Sequence, residues 1–405
     1  MTEQRATDRR ATALSAGDHL GLMLPAPWEG SRPMSVREAV AAFNHRHSFT
    51  VGVEEELMLV DTETLELAPA VDEVMGVLGR DARFARELRP SQIEIVSRVC
   101  TTAADACREL SSARRELVVA VDGRYRLLAS GTHPFSTAWG QITEGARYSQ
   151  IADEYTWAAQ RSLACGLHVH VAVDGPERAL AVHNALRSYL PELAALGANS
   201  AFFEGADTGM ASIRPKLNEA FPRSGIPPAF TTWEQLVRFV EWGRTGGLFP
   251  DSTHFWWDMR PHLVHGTIEI RVADTQTRLE AAAAIVALIQ ALVASLAERY
   301  DDGEELPVHE TFWITENAWR AHRYGLRGWL VDLETGVAEP TRDRIASLID
   351  DLEPYADRFG SVDQFSDARA LLAGGGSDRQ RYVFAREGMT GLTRWMVDET
   401  EESAF

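Results

Sequence analysis

The chain has 405 residues, 45% of them hydrophobic and 24% charged, with a formal net charge of −19. That negative balance argues against non-specific nucleic-acid binding and against an anionic membrane surface, both of which need a surplus of Lys and Arg. Three cysteines, Cys100, Cys107 and Cys165, are too sparse for a disulfide framework, and none forms a C-x-x-C pair. A cytoplasmic location is the default expectation. Lys216 is the single lysine, which nucleotide bias explains more simply than function does.

Residues 1–47 read as a polar tail with a short helix over 35–46. A strand follows at 49–60, then a helix over 70–79 and a strand at 91–99. A helical period covers 104–125, a strand runs into a turn over 126–134, and a helix spans 148–164. The clearest strand is 165–174. Helices fill 176–198 and 232–243, a strand pair brackets 254–274, and a long helix occupies 279–299. The remainder reads as helices with polar connectors, including a loop at 373–380. The apolar run 281–297 is short for a membrane span and is interrupted by Gln290 and Ser295, so it reads as a buried core helix. Short strands with two-residue alternation predict an α+β fold on an antiparallel sheet with one functional face. No repeat or linker divides residues 48–400, which read as one domain.

Four strands share one pattern. In "VGVEEELMLV" (51–60), Glu54 and Glu56 point one way and Glu55 the other. A separation of about 6–7 Å follows from the strand rise, and at an effective dielectric near 20 such carboxylates repel by roughly 2–3 kcal/mol. Water, arginine or a metal must offset that. Gln92 and Glu94 share a face in "SQIEIV", His168 and His170 in "GLHVHVAV", and Thr267, Glu269 and Arg271 in "GTIEIRVAD". If the four strands are neighbours, these groups form one patch. Rich in carboxylates and free of thiolates, it suits Mg²⁺ or Mn²⁺ better than zinc, and its density points to phosphoryl chemistry. The alternative is a solvated sheet face. No P-loop and no dinucleotide fingerprint is present.

The segments "FTVGVEEELMLVD", "SQIEIVSRVC", "SGTHPF", "CGLHVHVAV", "ANSAFFEGADTG" and "EIRVADTQT" together resemble the glutamate–cysteine ligase type 2 family. That family belongs to the carboxylate–amine ligases of the glutamine-synthetase-like superfamily, and the resemblance runs from about residue 48 to about residue 395. It implies a curved antiparallel sheet, flanked by helices, whose concave face holds ATP and Mg²⁺. By motif it implies metal ligation at Glu54, Glu56, Glu94, His168 and Glu269, and it places Arg271 on the transferring phosphate. Arg214 falls in a substrate loop as a carboxylate or phosphate contact, and Arg260 is a phosphate candidate. Thr132 and His133 are candidates to line the pocket, His170 is either a partner of the ligands or structural, and Glu55 has no role. The implied reaction joins glutamate to cysteine or another amine through an acyl phosphate. Departures from the family pattern at Ile213, Pro215 and 217–221 leave the acceptor open. Self-association into a homo-oligomer is compatible with a sheet enzyme of this kind. A metal-dependent hydrolase built on His168 and His170 is a rival reading, but that pair sits mid-chain after two acidic strands. A binding protein without activity is the other rival.

Overall fold

The structure is a computed structural model that describes residues 34–44, 48–121 and 123–405. Of the expected tail over 1–47, residues 1–33 and 45–47 lie outside the described residues. Strands β1 (Val51–Asp61), β2 (Phe84–Arg86), β3 (Gln92–Val96), β4 (Tyr125–Leu128), β5 (Gly166–Ala172), β6 (Met259–His262) and β7 (Thr267–Asp274) build one sheet. Its order is β6-β7-β5-β1-β3-β2, with β4 pairing on the far end of β1. All its pairings are antiparallel. The four acidic and histidine-bearing strands are therefore consecutive neighbours: β7, β5, β1, β3.

Around the sheet, in chain order, lie α1 (Val36–Ala41), α2 (Val71–Leu78), α3 (Ala103–Val121), α4 (Ala146–Arg161), α5 (Pro176–Leu186), α6 (Leu190–Leu196) and α7 (Arg214–Asn218). They are followed by α8 (Trp233–Thr245), α9 (Leu279–Asp301), α10 (Thr311–Tyr324), α11 (Thr341–Phe359), α12 (Val362–Leu371) and α13 (Gly376–Glu402). The expected helix over 35–46 is the short α1, held by a capping box between Ser35 and Glu38.

The alternation in β1 sets the layering. Val51, Val53, Leu57 and Leu59 turn to a core shared with α3, α5 and α9, whereas Gly52, Glu54 and Glu56 take the other face. Each fully buried Val or Leu stabilises the fold by about 1.5–3 kcal/mol. From Met58 onward both faces are covered, because Met58, Val60 and Leu128 pack on Leu392, Met396 and Val397 of α13. Helix α9 has the length and hydropathy of a membrane span, yet 89% of its most apolar window is buried inside the protein. Its one buried polar side chain reads as a tie: Gln290 Nε2 donates to Phe49 O and Thr101 O at 2.7 and 2.9 Å. That links the core helix to the entry of β1.

Three expectations shift. The strand expected over 126–134 ends at Leu128, and a long irregular segment follows to α4. The loop expected over 373–380 is helical from Gly376, where a Cβ would collide with the Asn199 side chain. Here glycine permits close approach, not flexibility. A hairpin pairs Trp329–Val331 with Ala338–Pro340, where only helices and connectors were expected. Its strands are three residues long, too short for a periodic signal.

Glu55 has a role that the pattern did not assign. It points into the core and pairs bidentately with Arg114, Nε to Oε2 at 2.8 Å and Nη2 to Oε1 at 2.7 Å, with both side chains wholly buried.

Candidate active site

The register sets the site in rows across the polar face. Glu54 stands opposite His168, Glu56 opposite Glu94, and Glu269 opposite His170. Directly opposed residues in an antiparallel pair hold their Cβ atoms about 4.5–5.5 Å apart, so side chains from three strands meet. A bulge in β7 between Ile270 and Ala273 then re-aims Arg271. Its Nη1 donates to Glu269 Oε1 and lies 3.4 Å from His168 Nδ1.

Two sets of donors converge. Glu54, His168 and Glu269 bring ligand atoms within 4.8 Å of one another, and so do Glu56, Glu94 and His168. His168 belongs to both, so the two sets are adjacent candidate cation positions sharing one imidazole. Carboxylate oxygens with a single imidazole suit Mg²⁺ or Mn²⁺.

The electrostatics differ between the two sets. Burial works to raise the Glu54 carboxyl, but hydrogen bonds with His168 at 3.3 Å and His170 at 3.2 Å hold it well below the usual range. His170 also meets Thr267 Oγ1 at 2.9 Å, so it orients Glu54. Burial likewise opposes ionisation of Glu269, and Arg260 and Arg271 outweigh it. In the second set burial wins, although Glu56 accepts from Gly166 N–H at 2.6 Å and feels the charges of Arg271 and Arg214. Burial and the charge of Glu87 push Glu56 up to about 8, and burial with repulsion from Glu87, Glu54 and Glu56 lifts Glu94 well above its ordinary value. Glu87 and Glu94 share a hydrogen bond between their carboxyl groups.

A cation binding the second set must displace those protons, so its affinity rises as pH climbs toward and through 8. Thermal stabilisation by Mg²⁺ is accordingly expected to grow between pH 6 and pH 8. A stabilisation that is flat across that window would count against cation binding at Glu56.

Each expected residue has a place. Arg271 reaches into the site. Arg260 does not face an open phosphate position, which corrects that assignment. It is buried, with Nε and Nη2 on Glu269 at 2.6 and 3.1 Å and Nη1 donating to the Thr253 and Phe255 carbonyls. Its work is to hold Glu269. Arg214 is largely committed as well: Nε donates to Asp274 Oδ1 at 2.9 Å, and Nη2 to the carbonyls of Arg271 and Ala273 at 2.7 Å. It supports the end of β7 and lines a pocket beside Glu56. Thr132 and His133 do not line that pocket. Thr132 donates to Phe202 O, and His133 accepts from the backbone of Phe135 and Ser136, so both shape the loop after β4.

Glu87 and Arg147 were missed. Glu87 follows the three-residue β2, where no alternation can be counted. Arg147 opens α4, away from every strand motif.

Cavities open at both ends of the cation positions. One of about 120 Å³ is walled by Glu56, Glu87, Arg147, Arg214, Phe221 and Trp256. The other, about 490 Å³ and more apolar, is bordered by Gly52, Glu54, Val96, Val99, His170 and Thr267.

An antiparallel sheet with a carboxylate-bearing face and flanking helices is a fold this chain shares with a solved glutamate–cysteine ligase structure. The crystal structure of glutamate–cysteine ligase from Francisella tularensis in complex with AMP superposes with a TM-score of 0.63 at 11% identity, over 89% of each chain. A bifunctional glutathione synthetase from Pasteurella multocida gives 0.61 at 13%, over 91% of this chain and 54% of that one. The family model for glutamate–cysteine ligase family 2 matches residues 50–399, and the chain belongs to that family. A relative from Rubrobacter xylanophilus, provisionally named glutamate–cysteine ligase 2-1, is 41% identical over 84% of this chain and 91% of its own length. One of the same provisional name from Frankia alni is 35% identical, covering 89% and 96%.

Proposed function

We propose that the protein is an ATP-dependent carboxylate–amine ligase that joins glutamate to cysteine to form γ-glutamylcysteine. The observation that carries this reading is the pair of adjacent cation positions sharing His168, with a cavity at each end. A carboxylate does not condense with an amine in water unless it is first activated. The larger cavity has the volume range of a nucleotide-sized site, and the smaller one suits a single small amino acid. Transfer of the γ-phosphoryl group from ATP to the donor carboxylate gives an acyl phosphate and ADP. The amine then forms the C–N bond, phosphate leaves with the C–O bond electrons, and the nitrogen gives up a proton.

Glu54, Glu269 and His168, and Glu56, Glu94 and His168, would hold Mg²⁺ or Mn²⁺, which supplies charge neutralisation at phosphate oxygens. Arg271 offers a guanidinium beside the reacting phosphoryl group, held there by Glu269. Arg260 and His170 keep Glu269 and Glu54 in place.

The test is Mg²⁺-dependent ADP release from ATP with glutamate, against cysteine and a panel of other amines, with the product mass read directly. A γ-glutamylcysteine product supports the reading, and no ADP with any pairing overturns it. Turnover with another amine alone would keep the chemistry and change the acceptor. That second outcome has a specific basis: Phe221, within the divergent 217–221 segment, lines the smaller cavity.

A further inference from the structure

Two arginines line the smaller cavity, and their commitments differ. Arg214 commits Nε to Asp274 and Nη2 to two backbone carbonyls. Among the described residues, Arg147 makes no hydrogen bond or ion pair, and its side chain is exposed at the cavity wall. The helix turn that carries it is nonetheless fixed, because the Tyr148 hydroxyl donates to Arg86 O at 2.5 Å. The backbone at Arg147 is thus anchored, while its exposed guanidinium, whose charge also acts on Glu87, keeps its donors unbonded at the cavity wall.

The rest of the lining is sorted by chemistry. Glu56 and Glu87 form an acidic wall, and Ile151, Phe221 and Trp256 form an apolar one. Phe221 and Trp256 pack with ring centroids 4.8 Å apart and planes tilted by 32°, and Tyr155 meets both edge-on, which stiffens that wall. A free cation, an acidic wall and an apolar wall in about 120 Å³ complement a small zwitterion with a short apolar side chain. The cavity reaches the cation positions at Glu56, so an amine resting on the acidic wall lies beside a carboxylate activated there.

From this geometry we infer that Arg147 determines acceptor specificity by holding the α-carboxylate of the attacking amino acid. The inference rests on the ligase reading and assigns its acceptor subsite. A guanidinium binds carboxylate through two parallel N–H···O bonds, and lysine reproduces the charge without the fork. An acceptor without a carboxylate gains nothing from it.

The experiment compares cysteine with cysteamine, the same amine and thiol without the carboxylate, in wild type, Arg147→Ala and Arg147→Lys. In Arg147→Ala the KM for cysteine should rise by about 10- to 100-fold, the loss expected for a charge-assisted hydrogen bond. The KM values for cysteamine, glutamate and ATP should stay put, and Arg147→Lys should recover part of the loss. An unchanged cysteine KM, an equal change with cysteamine, or a rise in the glutamate KM instead overturns the inference while leaving ligase chemistry intact. If wild type releases no ADP at all, the ligase reading fails, and calorimetric titration with cysteine decides the subsite by itself. Cysteine binding that is lost in Arg147→Ala upholds a carboxylate site there. Equal binding, or none in either protein, overturns it.

Discussion

Glu54→Gln is expected to lower metal-dependent ADP release by about 1,000-fold, equivalent to about 4 kcal/mol of transition-state stabilisation. The substitution keeps the shape and removes one negative charge from a position where ligand atoms of Glu54, His168 and Glu269 converge. The amide can still meet His168 and His170, and the site face of β1 is partly solvated, so thermal unfolding should move little. Glu269→Gln is a less clean probe. Glu269 is wholly buried between Arg260 and Arg271, and loss of its charge leaves two guanidinium groups without their carboxylate. That variant should lose stability along with turnover. Near-wild-type ADP release by Glu54→Gln would show that the carboxylate holds no cation needed for the reaction.

The parts of the site that sequence made legible are those where strand alternation and burial agree. Glu54, Glu56, Glu94, His168 and Glu269 each sit opposite an apolar partner set on the same strand, and pairing of neighbours brings them together. Alternation reports only which face a side chain takes. It cannot say whether an arginine is free, and Arg260 was a phosphate candidate only by its place beside Trp256 and Trp257 in the sequence. Its donors are in fact taken by Glu269 and by carbonyls of 253–255, which no local pattern encodes. The same limit hid Arg147 and Glu87, since helix starts and three-residue strands have no period to read. Among the long elements, α9 was legible because its apolar run is long enough to exclude a strand.

Glu55→Ala is expected to lower the free energy of unfolding by about 3–5 kcal/mol, the cost of leaving a buried arginine without its counter-charge. Arg114 is wholly buried, and besides Glu55 it donates to the carbonyls of Gln276 at 2.8 Å and Thr277 at 3.2 Å. It also meets Thr400 O at 3.4 Å and Ser403 Oγ at 3.3 Å near the end of α13. One side chain therefore ties β1, the segment after β7 and the C-terminal helix to a single point. Glu55 sits between Glu54 and Glu56, and a one-residue slip of β1 would turn both away from His168 and Glu94. The ion pair thus holds the register on which both cation positions depend. The double variant Glu55→Leu with Arg114→Met should regain part of the loss, because no charge is then stranded, but the carbonyls of Gln276 and Thr277 still lose their donor. Denaturant unfolding of the wild type and the two variants separates these contributions. A loss below about 1 kcal/mol in Glu55→Ala would put the pair on a level with an exposed salt bridge, and the register of β1 would have to rest on its apolar face alone.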